Sequence, residues 1–457
     1  MHPAYESKRL FFETGRTRDY RFRVKQLNAL GAALQRHAAN LTEALRQDLD
    51  KPRMETVTSE IGVVRREIAH TLENLDVWMR TDRRRTPFVL WPARSEVTAC
   101  PLGVVLIVGP WNYPVQLLLM PLVGAIAAGN CVVLKPSEDA PATAAAVAAL
   151  VAETFAPEYI SVVEGVGAAV VPELLLGQRF DHVFFTGSVA VGKKIMAMAA
   201  GHLTPVTLEL GGKSPAVVLA DADLDLTARR LAWGKFYNAG QSCVAPDYAL
   251  VAEPVVEPLI AKLKEVIVRF YGTNPIESPD LGRIINARRF GVIESYLGQG
   301  RVRHGGRCDQ ARLRMEPTLL DQVDSASPVM REEIFGPVLP ILPFGDVEEI
   351  RPVIQRNPQP LAAYFFAGDT KQADRLMAGI GFGGGCVNDT LIHFANGEVP
   401  FGGVGTSGMG RYHGRATFET FSHGRTLLRS PGWELPVRYP PYGGWWTALV
   451  GRLFVPK

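Results

Sequence analysis

Three side chains stand where their chemistry would be useful. Cys243 closes Asn-Ala-Gly-Gln-Ser-Cys, residues 238–243, a polar loop after a helical segment. Loops held on rigid elements favour reactive residues. A thiol there acts as a nucleophile if a base or a cationic neighbour supplies thiolate. The other four cysteines differ: Cys131 and Cys386 lie beside apolar runs, Cys100 ends one, and Cys308 follows a loop rich in glycine and arginine. Cysteine in apolar surroundings is commonly a small buried hydrophobe. Glu209 lies in Leu-Glu-Leu-Gly-Gly, at the end of the apolar run 206–210. Burial between leucines would raise its pKa and suit it to general-base work; a glutamate pointing out of an edge strand reads the same way. Asn112, in Pro-Trp-Asn-Tyr-Pro, follows the run 104–108. Its amide could cap the next helix or donate to an oxyanion.

Two glycine patterns also bear on ligands. Gly403-Val-Gly405-Thr-Ser-Gly408 has the G-x-G-x-x-G form but follows no clear strand. It reads as a loop that needs positive φ angles, not as a dinucleotide fingerprint. Gly187-Ser-Val-Ala-Val-Gly192-Lys193-Lys194 resembles a P-loop, with Lys194 where a Ser or Thr would hold magnesium. An apolar run enters its turn at Gly187 and Ser188 and a helix starts next. Backbone N–H groups there either bind phosphate or make an ordinary strand-to-helix turn.

Short apolar runs and helix-length segments must position these residues. From residue 101 the runs are 104–108, 132–134, 160–163, 182–185 and 206–210, with helices expected near 115–128, 141–154, 168–177 and 189–200. Near-continuous apolar strands separated by helices predict a parallel sheet covered on both faces. That is a doubly wound domain, whose ligands sit beyond the strands' carboxyl ends. A second α/β stretch begins near 211, with strands at 216–219, 248–251, 338–344 and 362–366 and helices near 223–237, 255–270 and 285–298. Leu27, Leu30, Leu34, Leu41, Leu45 and Leu49 fall on one face of a helix, and Ile61, Ile68, Leu72 and Leu75 mark another that ends near Trp78. The segment 80–87 is a basic connector, 95–99 an edge strand or hairpin arm, and 381–415 irregular.

The 457 residues suggest roughly two to four domains. Hydrophobic residues at 47% and charged residues at 21% suit a globular protein, and a net charge of +3 on this length argues against nucleic-acid binding. Five widely spaced cysteines with no C-x-x-C, and no H-x-x-x-H, speak against a disulfide scaffold and a metal site. Reduced thiols point to the cytoplasm. The N-terminus carries no apolar signal region, and no apolar stretch is long enough to span a bilayer.

Together the motifs resemble the aldehyde dehydrogenase superfamily up to about residue 426. They are GPWNYP (109–114), KPSE (135–138), FTGS (185–188), LELGGKSP (208–215), NAGQSC (238–243) and EEIFGP (332–337), in order and at the family's spacing. CVAPDY (243–248), PFGGVGTSGMGRYHG (400–414), FETFSH (418–423) and RYPPY (438–442) are similar to the class 3 branch, which includes fatty and aromatic aldehyde dehydrogenases. The resemblance implies that Cys243 attacks an aldehyde, that the Asn112 amide holds the oxyanion, and that Glu209 activates water for release of a free acid. Lys135 and Glu138 match contacts to the adenosine ribose, and Gly187 and Ser188 the phosphate turn. Glu333 matches the contact to the nicotinamide ribose, and Phe335 the ring beside the nicotinamide. NAD is the cofactor expected, with NADP possible. Ser242 stands where many relatives have Thr.

The implied fold is α/β and aldehyde dehydrogenase-like: two doubly wound α/β domains plus a small oligomerisation element. Residues 1–82 and 104–208 would bind NAD(P), and 209–395 would carry catalysis. Residues 83–103 and 396–430 would pair two copies into a homodimer, and 431–457 form a tail. In that tail Trp445, Trp446, Leu449, Val450, Leu453 and Phe454 cluster. They suit packing on a partner subunit or peripheral contact with a membrane. Other uses of the same frame are a thiol-dependent esterase or thioesterase without redox chemistry, and a silent binding protein.

Overall fold

The computed structural model describes residues 3–433, 439–445, 448 and 451. Its first large sheet contains the five expected parallel strands, in the order Val206–Glu209, His182–Thr186, Val104–Val108, Cys131–Lys135 and Ile160–Val162. The strands at its centre are wholly buried, because helices cover both faces. The chain runs outward from Val104–Val108 to Ile160–Val162, then returns to the other side through His182–Thr186. The switch point between Val104–Val108 and His182–Thr186 leaves a crevice at the carboxyl ends. The helices Gln116–Ala128, Pro141–Thr154, Gly167–Gly177 and Val189–Ala200 follow the sequence reading to within a residue or so.

The second sheet has seven strands, in the order Arg301–His304, Thr318–Asp321, Val338–Phe344, Tyr248–Ala252, Pro215–Val218, Ala362–Phe366 and Gly384–Val387. Only Arg301–His304 runs antiparallel to its neighbour. Three strands, Asp82–Arg84, Arg94–Pro101 and Ser422–Arg429, form a separate antiparallel sheet.

Two local expectations need correction, and one open reading is decided. The leucines from Leu27 to Leu49 lie on two helices, Tyr20–Arg36 and Ala38–Leu49, broken at His37. Leu34 and Leu41 are seven residues apart, so the apolar stripe continues across the break and hides it. Of the two readings at 95–99 the hairpin arm holds, since the strand pairs antiparallel with Asp82–Arg84; its other side pairs with Ser422–Arg429, a strand whose polar residues concealed it. Inside the stretch read as irregular, Gly384–Val387 completes the second sheet, and Gly408–Met409 pairs antiparallel with Glu209 and Leu208. Glycines at these edges leave no apolar pattern to read. Gly405 and Gly408 do adopt the positive φ expected of that loop, +59° and +148°.

One buried ion pair ties the N-terminal helices to the crevice. Lys51 Nζ donates to Glu60 Oε1 at 2.5 Å and to the Asn112 carbonyl at 3.0 Å, and lies 4.3 Å from the centre of the Tyr113 ring. Glu60 Oε2 accepts the N–H groups of Val115 and Gln116, which start the helix Gln116–Ala128. Lys51→Met would strand the Glu60 charge without its cation. Breaking a fully buried pair in this way costs about 3–5 kcal/mol. Urea denaturation should show that loss, and a change under ~1 kcal/mol would mean the pair carries little stability.

Candidate active site

The Cys243 loop is shaped by backbone first. After the helix Leu224–Phe236, Asn238, Ala239 and Gly240 take positive φ in succession, +53°, +52° and +75°. A Cβ on Gly240 would meet the Gly336 carbonyl at 2.2 Å, so only glycine allows this approach to the 332–337 segment. Side-chain amides then lock the turn. Asn238 Nδ2 donates to the carbonyls of Asn112 and Gln241, both at 3.0 Å. Gln241 accepts the Ile285 N–H and donates to the Arg283 carbonyl at 2.9 Å. Glu55 Oε2 accepts the Asn238 N–H at 3.0 Å. Asn112 Nδ2 donates to the Gln241 carbonyl at 3.1 Å, two residues before Cys243. That bond uses one of its two N–H donors. Asn112 thus braces the loop instead of capping the helix, whose first N–H groups go to Glu60.

Cys243 and Glu209 border one cavity, together with Tyr113, Leu117, Phe401 and Tyr412. Glu209 comes from the carboxyl end of a strand in the first sheet. Cys243 comes from the loop that enters the amino end of Tyr248–Ala252 in the second. Glu209 is almost fully buried, and neither carboxylate oxygen has a hydrogen-bond partner among the described residues. Burial therefore holds its pKa far above the ordinary carboxylate range. It is not the outward-pointing glutamate of an edge strand. The Cys243 thiol is likewise pushed up, by burial first and then by the carboxylates of Glu333 and Glu209, while its own N–H and that of Val244 pull the other way.

The remaining predicted residues line the strand ends. Lys135 Nζ donates to Glu138 Oε2 at 2.8 Å, and Glu138 Oε1 accepts the Gly167 N–H at 2.8 Å. Burial opposes ionisation of Glu138, but these bonds win and hold its carboxyl below the usual range. The Gly187 N–H donates to the Glu209 carbonyl, and Ser188 caps the helix Val189–Ala200. Glu333 and Phe335 belong to a turn that other charges fix. Lys213 Nζ pairs with Asp247 and donates to the Glu332 carbonyl. Asp247 Oδ1 accepts the Ile334 N–H at 3.0 Å, and Arg289 donates to the carbonyls of Glu333 and Ile334. Burial and the Asp247 charge raise the Glu333 carboxyl to about 8. Glu333 Oε1 has no partner among the described residues. Phe335, at φ +48°, meets Trp111 edge-on at 5.2 Å.

The sequence reading missed the residues that hold these groups. Lys213 and Asp247 lie inside motifs it quoted, and their wide separation along the chain gave no sign that they pair. The Lys51–Glu60 pair had no motif at all.

An aldehyde dehydrogenase family model matches residues 3–427. The chain belongs to the aldehyde dehydrogenase family. Aldehyde dehydrogenase family 3 member B1 of Homo sapiens is 46% identical over 433 residues, covering 94% of this chain and 92% of that protein. The substrate-bound state of Staphylococcus aureus AldH superposes with a TM-score of 0.96 at 43% identity, over 98% of each chain. An indole-3-acetaldehyde dehydrogenase complexed with NAD+ superposes at 0.85 with 30% identity, over 93% of this chain and 88% of that one. The chain is thus an aldehyde dehydrogenase, similar to members of family 3, and its reaction is aldehyde oxidation.

Proposed function

We propose that this aldehyde dehydrogenase oxidises medium-chain, long-chain or aromatic aldehydes to free acids through a thioester on Cys243. The observation that carries the reading is the shared cavity of Cys243 and Glu209, with both Glu209 oxygens buried and free of partners. Cys243 gives its proton to solvent water, and its sulfur bonds the carbonyl carbon. The carbonyl oxygen becomes an oxyanion, held by the second N–H of Asn112 and the N–H of Cys243. When bound, a nicotinamide cofactor supplies the hydride acceptor that leaves a thioester on the thiol. Glu209 then takes a proton from water as the water's oxygen bonds the acyl carbon. The acid departs and the thiol is restored. Apolar Leu117, Phe394 and Phe401 along the cavity support an apolar aldehyde.

The fit to a nicotinamide dinucleotide rests on this chain's own residues. Glu333 presents an oxygen without a partner, and a Cβ on Gly211 would fall 2.1 Å from its carboxylate, so glycine keeps that space open. Lys135 ends the strand Cys131–Lys135 and Glu138 follows it, while Gly187 and Ser188 stand at a helix start. The Glu138 carboxylate, held ionised, disfavours a 2′-phosphate and supports NAD over NADP.

A homodimer through the small antiparallel sheet accords with its exposed Leu428 and with exposed Phe88 and Trp91 in the connection between two of its strands. Five free thiols support a cytoplasmic location. Of the tail cluster, Trp445 is exposed; Trp446, Leu449, Val450, Leu453 and Phe454 lie outside the described residues. Among the described residues no helix is long and apolar enough to cross a membrane.

Reduced-cofactor formation across an aldehyde panel, with NAD and NADP separately, tests the reading. Asn112→Ala should lower kcat by about 10²–10³-fold, the usual cost of one oxyanion donor. A loss confined to KM would instead mean that Asn112 only shapes the pocket.

A further inference from the structure

His413 lines the Cys243 cavity and carries a buried ring nitrogen without a partner among the described residues. The ring is buried, at 2% exposure, and borders two adjoining cavities. One holds Cys243 and Glu209; the other is lined by Glu67, His70, Met120 and Asn396, and Phe394 borders both. The backbone of His413 is held at φ +79°, with its N–H donating to Thr417 Oγ1 at 2.7 Å. Its ring stacks on Phe401 at 5.5 Å and 23°, and the Tyr412 ring stands edge-on at 4.3 Å. One ring nitrogen bonds the Phe394 carbonyl, whereas Nε2 has no partner among the described residues. The bonded nitrogen is therefore Nδ1, and it carries the proton because a carbonyl only accepts. Burial lowers the imidazole to about 4, so the ring is neutral at physiological pH. Nε2 is then a lone pair without a donor, on a residue that shares the cavity wall with the rings of Tyr113, Phe394, Phe401 and Tyr412.

We propose that His413 is a specificity-determining residue whose Nε2 accepts a hydrogen bond from a hydroxyl or N–H on the aldehyde's tail. The inference rests on the reading of the Cys243 cavity as the aldehyde site. A plain alkyl tail passing His413 leaves a buried acceptor without a donor. A tail with a donor at the right carbon satisfies it. Sites built with buried polar groups discriminate strongly against the analogue that lacks the partner.

The test compares kcat/KM for unsubstituted alkanals and their hydroxylated counterparts of equal length. The hydroxyl is moved along successive carbons beyond those that close to a cyclic hemiacetal. For the wild-type enzyme one hydroxyl position should beat its plain partner about tenfold, the effect of one well-placed hydrogen bond. His413→Asn retains an amide N–H for the Phe394 carbonyl but places nothing at Nε2, and should bring that ratio to about one. A wild-type ratio near or below one at every position overturns the proposal. So does a ratio that survives in His413→Asn. The wild-type series decides by itself if the variant does not fold. Absence of reduced cofactor with both series would contradict the aldehyde site itself, an outcome distinct from equal rates for the two series.

Discussion

Cys243→Ala should abolish aldehyde-dependent formation of reduced cofactor, lowering the rate by at least about 10³-fold. The account gives the thiol a covalent role, and no neighbouring group can take it over. Of the cavity's described lining residues, only Cys243 brings a thiol. The change removes one sulfur from a half-buried loop position, so the melting temperature should move by only a few degrees, roughly 1 kcal/mol in stability. A variant that keeps a tenth of the wild-type rate with a native melt would place the chemistry elsewhere. The pH dependence has a definite sign. Burial and the nearby carboxylates hold the resting thiol protonated, so the acylation rate of the wild type should climb as pH rises. An esterase that uses the same thiol would also lose activity in this variant. It would cleave activated esters without cofactor and never produce reduced cofactor from aldehydes.

Glu209→Gln should separate the two halves of the reaction. Oxidation to the thioester does not need the base, but hydrolysis does. Rapid mixing should give a burst of about one reduced cofactor per active site, followed by a steady rate about 10²–10³-fold below wild type. Because burial lifts the Glu209 pKa, the base form grows only as pH rises above the usual carboxylate range. Wild-type deacylation should therefore increase with pH, and the glutamine variant should lose that dependence. Linkage gives an independent check. A carboxyl whose folded pKa is raised binds its proton more tightly when folded, so its contribution to stability falls as pH rises above the unfolded value. Glu209→Gln should remove that part of the alkaline destabilisation. A variant with no burst and a native pH profile would assign Glu209 a structural role.

The reacting groups were more legible in the sequence than their supports. The parallel strands announced themselves as continuous apolar runs, and the observed strand ends at Lys135, Thr186 and Glu209 each lie one residue from the end of the run. Cys243, Glu209 and Asn112 each left two readings open when taken alone; only the ordered motifs joined them. What escaped was long-range and polar. Asn238 and Gln241 lie inside a quoted motif, yet nothing in the motif says that their amides bind the carbonyls of Asn112 and Arg283. Lys51 and Glu60 look like surface charges on amphipathic helices, but both are buried beneath the Asn112 turn. Ser422–Arg429 pairs residue for residue with Arg94–Pro101 across the whole chain, and its own mixed side chains carry no strand period. His413 sat in a recognised stretch without a role, because its unused Nε2 is a property of packing.

The central claim is a covalent acyl-enzyme on one thiol, beside the base that releases it. The most direct measurement is peptide mass spectrometry of the Glu209→Gln enzyme, quenched after mixing with aldehyde and cofactor. The account predicts an acyl mass on the peptide that contains Cys243, formed only when both reactants are present. An unmodified Cys243 peptide, or acyl groups on Cys100, Cys308 or Cys386 instead, would contradict it.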